Sequence, residues 1–232
     1  MKKNPVVLPV FLMYMYIILT FSSYAYAAMS DSDREFLQLC ISGTAQEVER
    51  AIRNGANVHA RSGDDSTALK LAAGINPNVG VINVLLQNGL DVNHKSENGQ
   101  TALIAAASLN SNPEILKFLI NNGADVNAKD ESGWTALLAA ATLNTNPEII
   151  STLLHFGADA NAEIGRSRAL DYARKNPSLK GTQAYRELKR ATSFSDIQIE
   201  IMVSAGGLLG SAALFFAVGP LMKKIESWYL KK

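Results

Sequence analysis

The 232-residue chain carries 22 Lys and Arg against 21 Asp and Glu and holds one cysteine, Cys40, so no disulfide can form within it and packing alone must hold a folded domain. Charge is divided unevenly: residues 31–165 carry 8 basic and 16 acidic side chains, whereas residues 166–195 carry 8 and 2. The acidic body would repel phosphate and the basic stretch lacks interleaved aromatics, which argues against nucleic acid as a partner.

In chain order, residues 1–27 have the pattern of a signal peptide. Lys2 and Lys3 make a positive start, Val6 to Phe21 is an apolar run, and Ala25-Tyr26-Ala27 puts small residues where a signal peptidase reads, so cleavage is expected after Ala27. The competing reading is an uncleaved anchor, because the run with its aromatic flank is long enough to span a bilayer. In both cases the following domain is exported, since the positive end stays in the cytoplasm. The style of the segment points to a bacterial source.

Residues 31–61 predict an opening helix pair. Asp31 or Ser32 caps the first helix, Gly43 stops it, and Thr44-Ala-Gln-Glu47 is a capping box for the second, with Val48 and Ile52 on its core side. Cys40 falls among Phe36, Leu37, Leu39 and Ile41 and reads as a small buried hydrophobe.

Two markers then repeat. Asn54-Gly55, Asn88-Gly89, Asn122-Gly123 and Phe156-Gly157 are spaced by 34 residues, and Thr67, Thr101, Thr135 and Arg168 by 34, 34 and 33. Such a period means stacked units, each too small to bury its own apolar face. After Thr135 the run Ala136 to Thr142 favours a helix, and a second starts at Pro147 behind the cap Asn146, as Asn112-Pro113-Glu114 does one unit earlier. Ile149, Ile150, Leu153 and Leu154, like Ile115, Leu116, Leu119 and Ile120, form one apolar stripe. Gly89, Gly123 and Gly157 end these helices in the left-handed conformation.

Gly-Ala-Asp-Val-Asn at 123–127, Gly-Trp-Thr-Ala-Leu at 133–137 and Asn-Pro-Glu-Ile at 146–149 carry a pattern that resembles the ankyrin repeat, over roughly residues 31–195. The resemblance implies an all-α ankyrin-repeat solenoid of helix-turn-helix units, with no cofactor. Three departures stand out. Lys70, Ile104 and Leu138 occupy the place of the family's His, so its polar ties along the stack are expected to be absent and replaced by apolar packing in two units. The link between paired helices is a residue longer, which is expected only to widen a loop. The last connector, Glu163 to Arg168, is shortened and lacks the Thr, as suits a terminal repeat. A closing unit runs from about Ile164 through Leu170-Asp-Tyr-Ala173 to a helix at Thr182 to Ala191.

Beyond the stack, residues 199–222 predict a transmembrane helix. From Ile201 to Met222 there is no charge, and the run covers roughly 33 Å as a helix. Residues 223–232 form a short basic tail in which Trp228 and Tyr229 sit as an interface belt. Gly206 and Gly210 make a Gly-x-x-x-Gly face through which the helix could self-associate or dock on a partner's helix. Arg186, Lys189 and Arg190 read as a solvated outer face, or as basic groups resting on anionic lipid of the bilayer.

Catalytic signals are absent. His59, His94 and His155 lie on different units, no phosphate loop or nucleophile motif occurs, and Asp91, Asp125 and Asp159 hold one place in the connector turn, where Asp satisfies local backbone. No metal site is expected.

Recognition of another, unidentified protein remains. By the resemblance, connector tips and the adjacent first-helix face carry it: Gly63, Asp64 and Ser66, then Glu97, Asn98, Gln100, Ser108 and Leu109, then Glu131, Ser132, Trp134, Thr142 and Leu143. Trp134 is the strongest anchor if exposed, and a structural residue if it packs against the neighbouring connector. The expectation is an adaptor tethered to a bacterial inner membrane by one span, its stack facing the periplasm. The alternative is an oligomeric membrane component whose Gly-rich helix assembles with a transporter or sensor.

Overall fold

The computed structural model describes residues 29–192. The expected signal peptide at 1–27, membrane helix at 199–222 with Gly206 and Gly210, and tail at 223–232 lie outside them. The helix stack belongs to the first of two compact units, which ends at Leu188.

Four helix pairs follow one another: α1 (Asp31–Ser42) with α2 (Ala45–Arg53), α3 (Ala68–Ile75) with α4 (Val79–Gln87), α5 (Ala102–Leu109) with α6 (Pro113–Asn121), and α7 (Ala136–Leu143) with α8 (Pro147–His155). A hairpin, β1 (Glu163–Ile164) paired antiparallel with β2 (Ser167–Arg168), leads into α9 (Ala169–Ala173), and a last described helix begins at residue 183. The fold is thus mostly helical. The all-α expectation needs correcting at this hairpin, where Gly165 at φ +64° supplies the tight reversal.

Local chemistry sets the helix ends. Thr67, Thr101 and Thr135 each accept, through the hydroxyl oxygen, the N–H three residues on, and start α3, α5 and α7. Asn112 and Asn146 cap α6 and α8 ahead of a first-turn Pro. The capping box at Thr44 and Glu47 forms as expected. Ser30 caps α1, in place of the expected Asp31 or Ser32, because its hydroxyl is the one that reaches the Asp33 N–H at 3.0 Å. The connector that lost its Thr uses Asp171 instead, whose carboxylate accepts the Arg168 N–H at 3.0 Å.

First helices stack on one another in series, α1 on α3, α3 on α5, α5 on α7 and α7 on α9, while α2, α4, α6 and α8 form a second row. Alanines make the first row close. Ala72, Ala73, Ala106, Ala107, Ala140 and Ala141 are fully buried, and so short a side chain lets helix axes approach within the usual range of about 8–10 Å. Larger groups fill the layer between the rows: Leu69, Leu103 and Leu137 from the first helices meet Leu85, Ile115, Leu116, Leu119, Ile149 and Leu153 from the second, each at most 1% exposed. Each such side chain contributes about 1.5–3 kcal/mol relative to exposure.

Ile104 and Leu138, 2% and 0% exposed, supply the apolar packing expected where the family has His, but the stack carries polar ties from a different position. Asn76, Asn110, Asn144 and Asn176 follow the first helices and are buried. Asn110 donates to the carbonyls of Ala73 and Asn76, both at 2.9 Å, while its own side-chain oxygen accepts the Asn112 N–H at 3.0 Å. Asn144 repeats this on Ala107 and Asn110, Asn176 on Ala141 and Asn144, and Asn76 on Cys40 and Gly43. The link between paired helices is therefore no mere widened loop, since its first residue ties each unit to the one before.

Candidate functional site

The three full connectors end in the same hydrogen-bonded reversal. Ser62 donates its N–H to the Ser66 carbonyl at 3.0 Å, Ser96 to Gln100 at 3.1 Å, and Asp130 to Trp134 at 3.0 Å. Side chains tighten each tip from within. Asp64 accepts from the hydroxyls of Ser62 (2.5 Å) and Ser66 (2.7 Å), Asn98 from Ser96 (2.7 Å), and Asp130 from the N–H groups of Ser132 (2.9 Å) and Trp134 (2.8 Å). Backbone donors that a loop would leave to water are thus satisfied locally.

Neighbouring tips are also joined. The Glu131 N–H donates to the Asn98 carbonyl at 3.2 Å, and Gly99, at φ +76°, lies so close that an added Cβ would stand 2.7 Å from the Glu131 nitrogen. Lys95 donates to the Lys129 carbonyl at 3.0 Å. Between the first and second tips, Arg61 pairs with Asp65 at 2.9 Å and meets the His94 ring at 2.7 Å, and Lys70 donates to Ser96 at 2.9 Å. Lower on the connectors, Asn93 donates to the Gly123 carbonyl and accepts the Asp125 N–H, both at 2.8 Å, and Asn127 acts likewise toward Gly157 and Asp159.

On this frame Asp64, Glu97, Asn98, Glu131 and Ser132 are exposed, as are Leu109 (67%) and Leu143 (60%) at the helix ends. Gln100, Ser108 and Thr142 are half-buried, and the hydroxyls of Ser108 and Thr142 both donate back to their own helices at 2.8 Å. Ser66 is a correction: it is 1% exposed and turned inward onto Asp64, out of reach of a partner. Trp134 is half-buried. Its ring packs on Tyr172 of α9, with centroids 5.3 Å apart.

Two signals escaped the sequence reading although both follow the same period. Ile75, 53% exposed, stands 34 residues before Leu109 and belongs with Leu109 and Leu143. The buried Asn76, Asn110 and Asn144 keep the same interval.

Chemically the surface is acidic and closed. Burial pushes the Asp64 carboxyl up, yet the Ser62 and Ser66 hydroxyls and the Lys70 ammonium outweigh it and hold it below the usual carboxylate range. Burial pulls Lys70 down, with Asp64 opposing in part. Cys40 is pushed up to about 12 by burial, which leaves it unreactive as a thiolate. His94 meets Arg61, His155 lies edge-on to Phe156, and among the described residues no group of three or more His, Cys, Asp or Glu could hold a metal. Among them, too, no helix is long and apolar enough to cross a membrane.

A family model described as ankyrin repeats (3 copies) matches residues 25–130, 71–164 and 105–180. No curated protein matches the chain.

Proposed function

Since the chain belongs to the ankyrin-repeat family, we propose that it is a membrane-tethered adaptor whose tips and first-helix face bind another protein, with no catalysis. Ankyrin repeats indicate a protein-interaction domain. The observation that carries the reading is the set of exposed tip residues, Asp64, Glu97, Asn98, Glu131 and Ser132, held on backbone that is hydrogen-bonded within and between tips. Groups already fixed lose little entropy on binding. The excess of acid over base in residues 31–165 favours a partner with a basic surface.

The tether is read from the uncharged run 201–222 and export from residues 1–27, which together put the stack in the periplasm of a bacterial cell on a single inner-membrane span. Arg186, exposed and donating to the Gly181 carbonyl at 2.9 Å, is available to lipid in this arrangement.

Site-specific photo-cross-linking in cells tests the adaptor, with the probe at Glu97 or Glu131 and, as a control, at Glu49 on α2. A protein adduct is expected from the tips and not from Glu49, weakened about tenfold by Trp134→Ala in a chain whose circular dichroism is unchanged. Equal yields from all three positions would remove the tips as the binding surface. N-terminal sequencing of the membrane-bound chain belongs to the same experiment: a start at Ala28 fits export, and a retained Met1 with a stack protected from periplasmic protease overturns it.

A further inference from the structure

Ile75, Leu109 and Leu143 end α3, α5 and α7 at 34-residue intervals and are 53, 67 and 60% exposed. Single exposed apolar side chains need no explanation, but three in register form a row. The row is fixed in place. Each member is followed by a ladder asparagine, so the bonds of Asn110 to Ala73 and Asn76, and of Asn144 to Ala107 and Asn110, set Ile75, Leu109 and Leu143 relative to one another. A Cβ added to Gly74 would stand 3.7 Å from a Leu109 methyl, which places that leucine over the preceding helix, beside Ile75.

Spacing selects the shape of an occupant. First helices packed through alanine lie about 8–10 Å apart, and the row repeats at that interval. In an α-helix seven residues rise about 10.5 Å and complete nearly two turns, which brings an apolar residue back to the same face. An extended strand covers the distance in about three residues and turns the next side chain to the opposite face. A helix running along the stack fits the row, and a strand does not.

Charge selects its flanks. α5 and α7 contain no charged residue and α3 only the buried Lys70. The exposed charges to either side along the chain are mainly acidic: Asp64, Glu97 and Glu131 at the tips, and Glu114 and Glu148 in the first turns of α6 and α8. Lys117 neutralises Glu114 at 2.7 Å, and Lys95 and Lys129 lie beneath the tips, yet residues 31–165 still hold 8 basic against 16 acidic groups.

We propose that the row of Ile75, Leu109 and Leu143 seats an amphipathic helix of another protein, with apolar residues at seven-residue intervals and Lys or Arg beside them. This inference rests on the recognition reading above and names the chemistry of the partner. The probe is a labelled synthetic peptide of about three heptads, Leu at every seventh position with Lys on both sides and Ala elsewhere, against a shuffled peptide of the same composition. Binding is read by fluorescence anisotropy to the full chain in neutral-lipid nanodiscs, with empty discs subtracted. The patterned peptide is expected to bind about tenfold tighter than the shuffled one, and Leu109→Asp or Leu143→Asp to erase that margin while Leu109→Met keeps it. Because Leu109 and Leu143 are exposed, these changes leave the core intact. Equal binding of the two peptides, or a margin that survives Leu109→Asp, overturns the proposal. If that happens while a photo-cross-linker at Glu131 still captures a cellular protein, the helix proposal falls alone; no capture at Glu131 takes the recognition reading with it.

Discussion

Lys70 fills the first-helix position that Ile104 and Leu138 hold in the next two units, and it is 8% exposed. Burial lowers its native pKa, so between that value and the unfolded one of about 10.4 the unfolded chain binds more protons, and stability rises with pH across that window. Asp64 gives a slope of the same sign in a lower window: its charged form is favoured in the native state, so it contributes stability above the ordinary carboxylate range that is lost as pH falls through the native value. Lys70→Ile is expected to keep stability within about 1 kcal/mol of the wild type or to raise it, since burying the Lys ammonium carries a desolvation cost that a well-packed apolar side chain does not. The wild type should then gain on the variant as pH rises toward the ordinary lysine range. Urea unfolding at about pH 8 and pH 10 measures both effects. A loss above roughly 3 kcal/mol would show that the Lys70–Ser96 bond supports the junction between tips. Beside it, Asp65 takes φ +58° where the following tips have Gly99 and Gly133, a strain of about 1 kcal/mol held by its pairing with Arg61.

Between elements, the asparagines do what side-chain volume cannot. Helix ends leave carbonyls without partners, and in a stack these ends are buried against the next unit. One amide spans two such carbonyls and an N–H at once. Asn110→Ala would strand the carbonyls of Ala73 and Asn76 and the N–H of Asn112, with an expected loss of about 3 kcal/mol. Asn112→Ala removes a half-buried cap and a single bond to Pro77, and should lose about 1 kcal/mol. Chemical denaturation of the two variants compares them directly. Equal losses would sink the ladder as the tie between units and leave apolar packing as the sole tie.

Across the whole stack, each pair leans mainly on its neighbours, and stability is close to a sum of unit and interface contributions. α1 is the first described helix and rests on α2 and α3, with Asn76 holding the carbonyls of Cys40 and Gly43 at 3.0 and 2.9 Å. Cys40 is fully buried, so a thiol reagent reaches it only when this end opens. Asn76→Ala is expected to speed Cys40 labelling about tenfold, and Asn144→Ala, two interfaces away, to leave it within about twofold. Mass spectrometry after timed labelling reads both rates. Equal acceleration by the two changes would mean that the stack opens as one unit.

The sequence by itself determined the kind of unit and its period. A 34-residue period in Gly and Thr, with Thr and Asn-Pro start signals, is local chemistry: caps, left-handed glycines and apolar stripes are legible wherever they occur. It also identified the exposed tips, because turn residues declare themselves by type. Only the tertiary structure decided which polar residues turn inward. Asn110 and Asn112 look alike in the sequence, as do Ser66 and Ser132, yet Asn110 and Ser66 are buried while Asn112 is half-buried and Ser132 exposed. The difference lies in partners some 34 residues away or in the fold of a tip, which no local propensity encodes. Trp134 likewise met Tyr172 only once the closing helix was docked. Burial is a property of the assembled stack, and a side chain's role follows from what the neighbouring unit leaves unpaired.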